Sequence, residues 1–260
     1  MIIYYFKIWI LMAKNSIRSW LTKKESVAVF LLGKFVRYIF YFGFLYLLVK
    51  KTNGILDFSA NLALFITATF TLVETLAQFL FRSTYTFRQL VVSGDFDLIL
   101  VKPVNPLFRS VAGGPDGIDL LTIPPIIAVV VYFGSLLNPS ILHITYYILL
   151  VINAILISLS VHIMVLATGI ITLSVDQLII IFRDLSSMGR FPIDIYKEPV
   201  KSFLTFIVPV GLMFTVPAKA LVGLVSPIGV VSTIIFGIAF FALSIKYWQF
   251  ALRKYTSASS

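Results

Sequence analysis

Five residues in one apolar run have the chemistry and spacing to handle a polar molecule. Thr67, Thr71, Glu74, Thr75 and Gln78 recur at intervals of three and four, so on a helix they share one face. Their hydroxyl, carboxyl and amide groups can line a translocation path or hydrogen-bond to neighbouring helices. Glu74 is ionisable inside an apolar stretch, which is costly in hydrocarbon and marks a functional candidate. Asn153, Ser160 and His162 form a weaker stripe of the same kind. Arg183 and Asp184 are adjacent and point in different directions, so each needs another partner or water. Either their helix faces protein or a wet cavity rather than lipid, or the pair lies near a helix end and is solvated.

Other chemistries have little to stand on. The phosphate cradle GxxxxGK[ST] is absent; Gly33-Lys34 is followed by Phe35, so hydrolysis of ATP by a P-loop mechanism is excluded for this chain. Its two histidines, His143 and His162, lack metal-site spacing, and no HExxH occurs. Each reads as a polar residue satisfied between helices. No GxSxG is present, and Ser93-Gly94 reads as a turn. Without cysteine there is neither a disulfide framework nor a thiolate metal site. We expect no catalytic residues, no metal and no cofactor bound by this chain.

The elements that must hold these residues follow from composition. The 260 residues are 59% apolar and 12% charged, against about 25% charged in ordinary soluble domains, and mean hydropathy is +1.00. This excludes a disordered chain and argues for an integral membrane protein. Six spans of about 20 residues would use roughly half the chain. They read as 26–49, 58–81, 117–137, 141–174, 178–192 and 228–250. Lys34 and Arg37 lie within the first, and Thr52-Asn53-Gly54 should close it. Pro124-Pro125 should kink the third or mark an irregular start. The fourth is too long to stand upright, and the fifth is weak because Arg183 and Asp184 interrupt it. Residues 1–24 read as an interfacial amphipathic helix, with Trp9 and Trp20 as headgroup anchors. Residues 193–225, with Pro199, Pro209 and Pro217, read as outer re-entrant helices. The expected fold is all-α: six transmembrane helices behind an interfacial helix, in one domain over 1–260.

The net charge of +10 would point to nucleic acid in a soluble protein. Here the cations flank apolar runs, which suits a lipid surface and no nucleic acid. With the N-terminus inside, twelve Lys/Arg fall on inner segments and six on outer ones, the latter including Arg190 and Lys219. Six crossings return the C-terminus to the cytoplasm. The longest inner loop, 83–116, contains Ser93-Gly94-Asp95-Phe96-Asp97-Leu98 and then Lys102-Pro103-Val104-Asn105-Pro106-Leu107-Phe108. Its large apolar residues fit either helices packed under the bilayer or a docking surface for a cytoplasmic protein.

Two strings resemble the permease subunits of type 2 ATP-binding-cassette (ABC) transporters, in a branch of six-span permeases of similar length. One runs from Phe87-Arg88 through Ser93-Gly94-Asp95-Phe96-Asp97-Leu98-Ile99-Leu100 to Pro106-Leu107-Phe108. The other runs from Gly189-Arg190-Phe191-Pro192 through Ile195-Tyr196, Leu204-Thr205-Phe206 and Pro209 to Pro217-Ala218 and Leu221-Val222-Gly223. The close pair Lys34 and Arg37 and the turn-rich Gly113–Gly117 depart from the pattern. The resemblance implies a multi-pass protein of the cell inner (plasma) membrane and a second permease subunit, identical or related. It also implies separate cytoplasmic ATPase subunits that carry ATP and Mg. Ser93, Gly94, Asp95, Phe96, Asp97 and Leu98 would then couple to the ATPase, and 193–225 would cap the path. The expected function is ATP-driven export of an amphipathic or hydrophobic substrate. The alternatives are a secondary carrier or channel working without an ATPase, disfavoured by the lack of internal repeats, and a lipid enzyme.

Overall fold

Apolar side chains all round a long helix leave it nowhere to go in water, and the fold is built from such helices. The computed structural model describes residues 2–22, 24–52, 58–172 and 175–256, and among them every regular element is helical. Five helices are long and apolar enough to cross a membrane, or six if one bent pair counts as a span. These are α2 (Lys24–Thr52), α3 (Ala60–Phe81, continuing through short turns to Val92), α7 (Gly117–Ser135), α8 (Ile141–Thr172) and α12 (Pro227–Arg253). The remaining helices are α1 (Ile2–Leu21), α4 (Phe87–Val92), α5 (Asp95–Leu100), α6 (Pro106–Ala112), α9 (Val175–Ser187), α10 (Val200–Ile207) and α11 (Gly211–Leu221).

Local sequence sets the boundaries. Ser59 caps α3 by accepting from the Leu62 N–H, Asp116 caps α7 through Ile118, and Ser226 caps α12 through Gly229. Asn105 accepts from Leu107 and Phe108 ahead of Pro106 at the first position of α6. The α7 helix runs on through Pro124-Pro125. At 32 residues, α8 is about 48 Å long at 1.5 Å per residue, which exceeds the roughly 30 Å hydrocarbon core. The turn expected at 53–54 and the last two residues of the expected fourth span lie outside the described residues.

The bundle has two ends. At the basal end α1 lies against α6 and the start of α7. The Ser16 hydroxyl donates to the Pro115 carbonyl at 2.8 Å, Tyr4 donates to Pro103, and the Asn105 N–H donates to the Tyr5 hydroxyl. Trp9 meets Phe79 edge-on, and Trp20 faces Gly117, so both expected headgroup anchors also pack on protein. At the apical end Phe65 of α3, Gly134 of α7 and Leu221 of α11 converge. The central pair is α8 with α12, where the Asn153 amide donates to the Thr233 carbonyl at 2.9 Å. His162 lies between the Phe81 and Phe182 rings, with its Nδ1 2.8 Å from the Ser158 carbonyl. The stripe of Asn153, Ser160 and His162 is thus buried; Asn153 and His162 contact neighbouring helices, whereas Ser160 bonds the Leu156 carbonyl of its own helix.

The stretch expected as a fifth crossing differs in shape. Its helix α9 has 13 residues, or about 20 Å, and gives way to a tight turn over Met188–Arg190. A β-carbon on Gly189 would sit 2.4 Å from Phe214 and 2.7 Å from Val210, so only glycine lets the turn pass this close to α11. Downstream, α10 and α11 meet at 74° across a break. The Asp194 carboxylate binds Lys201 of α10 at 2.9 Å and Lys219 near the far end of α11 at 2.5 Å. One anion therefore ties both arms of the bend.

Candidate functional site

A polar cavity of about 480 Å³ opens between α2, α3 and α9. Thr71, Glu74, Thr75 and Gln78 of the sequence-predicted stripe line its α3 wall. Thr67, the fifth member, does not: its hydroxyl bonds the Ala63 and Arg190 carbonyls at 3.1 and 2.9 Å, pinning the turn after α9 to α3. Thr71 bonds its own helix at the Thr67 carbonyl. Gln78 donates to the Glu74 carboxylate at 3.2 Å, which restrains it on the cavity wall.

The opposite walls carry the charge. Lys34, Arg37, Tyr38 and Tyr41 come from α2; Arg183, Asp184, Ser187 and Arg190 come from α9 and its terminal turn. Four cations thus face two carboxylates. Lys34 is paired with Asp119 at the basal start of α7, and Arg183 lies 3.9 Å from its neighbour Asp184. Arg37 and Arg190 have no carboxylate within 4 Å among the described residues. Arg37 lies over the Tyr38 ring at 5.4 Å, and Arg190 lies 5.8 Å from Phe70 and 6.0 Å from Tyr41. Both attract Glu74 at longer range. The backbone bond to Thr67 and the ring contacts place Arg190 beside the middle of α3. Residues 34, 37, 38 and 41 repeat the three-and-four spacing of the α3 stripe, so this second wall had a sequence signal. Arg183 and Asp184 line this cavity close to the end of α9, with side chains 54% and 72% exposed.

The basal loop is a folded platform. Gly94 adopts φ +78° between α4 and α5, a conformation that any side chain would strain. Phe96 belongs to the expected coupling string, yet it is fully buried. Its ring packs edge-on against Phe87, Trp248 and Tyr255, because α12 ends over α5. Ile99 is buried beside it. Ser93, Asp95 and Leu98 point outward with Val92 and Val101, while Asp97 is half-buried. Ser93 donates to the Asp95 carboxylate at 2.7 Å.

The Asp194 cluster makes the apical bend sensitive to acid. Burial alone would raise this carboxyl, but the hydrogen bonds from Lys219 and Lys201 outweigh it and hold it below the ordinary range. A depressed folded value stabilises at pH above the unfolded value, near 4, and that stability is lost as pH falls through the folded value. Backbone hydrogen exchange over 200–221, divided by the intrinsic rate of an unstructured chain at the same pH, should be level from about pH 5 to 8 and rise below about pH 4. Asp194→Asn should raise it at neutral pH. Exchange unmoved by both changes would mean that the cluster does not hold the bend.

Compared with known proteins, the family described as ABC-2 family transporter protein matches residues 35–259. No curated protein and no solved structure matches.

Proposed function

This chain belongs to the ABC-2 transporter permease family, a multi-pass membrane protein with a transport role, and on that premise we propose that it is the membrane subunit of an ATP-driven exporter. It moves an amphipathic or hydrophobic substrate out of the cytoplasm, using ATP and Mg held by separate cytoplasmic ATPase subunits. All 260 residues form one permease domain of the cell inner membrane, with both termini cytoplasmic. The observation that carries this reading is the charged cavity set among helices apolar enough to span a bilayer. Such groups are too costly to keep in hydrocarbon without a function.

The basal platform supplies the coupling. The outward residues Ser93, Asp95 and Leu98 meet the ATPase, and Phe96 transmits the motion. A push on α5 reaches α12 through Trp248 and Tyr255, and reaches α3 through Phe87. The cavity then changes between two states biased by nucleotide. No side chain in the most apolar stretch of α2 is fully buried, which suits a wall shared with lipid and a second permease subunit. The bent pair α10–α11, tied at the apical end, is the outer re-entrant cap.

The test is a pull-down of the tagged protein, co-expressed with its candidate ATPase, in mild detergent. ATPase activity is assayed on the eluate. Co-eluting activity that is lost with Asp95→Arg is the expected result. A folded, dimeric permease that brings down no ATPase in several detergents would overturn the reading.

A further inference from the structure

We propose that the cavity between α2, α3 and α9 binds an anionic amphiphile, a carboxylate, phosphate or sulfate group on an apolar or aromatic body, with Arg37 and Arg190 holding the anion. This deepens the exporter reading and rests on it for the word substrate; the binding itself does not require it.

Three observations converge. First, the cavity carries four cations and two carboxylates, and one cation, Lys34, is already neutralised by Asp119 outside the lining. Second, Arg37 and Arg190 are the cations without a carboxylate within 4 Å among the described residues, and both lie close enough to Glu74 to attract it. A guanidinium offers a rigid fork that matches a carboxylate or phosphate oxygen pair, and it is more weakly hydrated than an ammonium. Glu74, fixed by Gln78, is a resident counter-charge that balances the two forks while no anion is bound. Third, the walls beside Arg190 are the Tyr41 and Phe70 rings, which accept the apolar body next to its charged end. A cationic amphiphile would face the forks directly and meet repulsion. A purely apolar solute would leave the charged groups desolvated and unpaired.

The cations also differ in depth. Lys34 sits at the level of the basal start of α7, whereas Arg190 sits beside Thr67 and Phe70 at the middle of α3. An anion entering basally would meet Lys34 before Arg190.

The experiment uses the full chain in phosphatidylcholine nanodiscs and three fluorescent probes of one body: dansyl-aminoundecanoate, its neutral amide, and the corresponding primary amine. The carboxylate should bind at least about tenfold more tightly than the amide, since hydrogen bonds to charged groups discriminate on that scale, and the amine should bind weakest. Arg37→Gln with Arg190→Gln should abolish the preference while leaving amide binding in place. Lysine at both positions should restore part of it, which a merely misfolded variant would not do. Competition by phosphatidylglycerol in the nanodisc would identify a lipid headgroup as the natural anion; absence of competition would identify a free amphiphile. Equal binding of carboxylate and amide, or a preference that survives the double glutamine variant, overturns the proposal. Selective carboxylate binding by a protein that recruits no ATPase would leave the anion site standing and remove the exporter reading alone.

Discussion

Lys34→Leu should destabilise the fold strongly, with Asp119→Leu milder and the double variant close to the parent. The order follows from burial. The Asp119 side chain is 1% exposed and the Lys34 side chain 22% exposed. Without Lys34, the carboxylate is stranded in the interior between α2 and α7, where breaking a buried pair costs about 3–5 kcal/mol. Without Asp119, the ammonium can turn into the wet cavity that it already lines, and most of its hydration is recovered. Removing both leaves two apolar side chains in an apolar place, and such replacements are often neutral. The pair also fastens the basal half of α2, whose apical half is held by Leu45 and Val49 against Ala63 and Leu64. Heating each variant in detergent and measuring the folded fraction by gel filtration checks the order. At about 2–4 °C per kcal/mol for a chain approaching this size, Lys34→Leu should fall by roughly 6 °C or more. A double variant as unstable as the sum of the singles would show that the two residues do not act as a pair.

That pair also shows where single-sequence reasoning stops. The α3 stripe was legible because Thr71, Glu74, Thr75 and Gln78 obey helical spacing within one element, and the cavity does lie on that face. The α2 wall obeys the same spacing at 34, 37, 38 and 41. The sequence shows Lys34 and Arg37 inside an apolar run but not the partner of Lys34, which lies 85 residues away. No periodicity reports a contact between elements. Hydropathy placed α2, α3, α7, α8 and α12 to within a few residues of their ends, whereas α9 was not so placed. Its end is set by Gly189 fitting under Phe214 and Val210, a packing fact. The same packing puts Arg190 on the cavity wall. In the basal loop, composition revealed a folded segment rich in large apolar residues. It could not tell which of them face inward, since Phe96 and Leu98 are only two positions apart on a six-residue helix.

Those two residues separate support from contact. Phe96→Ala should cost about 3–5 kcal/mol as a fully buried aromatic truncation, because the Phe87, Trp248 and Tyr255 rings would close on an empty space. It should lower thermal stability and any ATPase coupling together. Leu98 is 58% exposed, and a change at such a surface is usually within about 0.5 kcal/mol of neutral for the fold. Leu98→Arg should therefore melt like the parent. If the outward face of α5 seats in a groove of the ATPase, however, placing a charge there removes an apolar anchor. Anchors of that kind carry about 2 kcal/mol or more, or roughly 30-fold in affinity. The expected result is a stable permease that loses its ATPase on dilution and shows no substrate-stimulated hydrolysis. An added Phe96→Leu variant, which keeps most of the buried volume, should retain both properties. Undiminished ATPase binding by Leu98→Arg would place the docking surface elsewhere on the basal end, with the α1 face beside Pro103 and Asn105 the next to substitute. Because the two substitutions lie on opposite faces of one short helix, loss of stability with one and loss of partner with the other cannot arise from a shared folding defect.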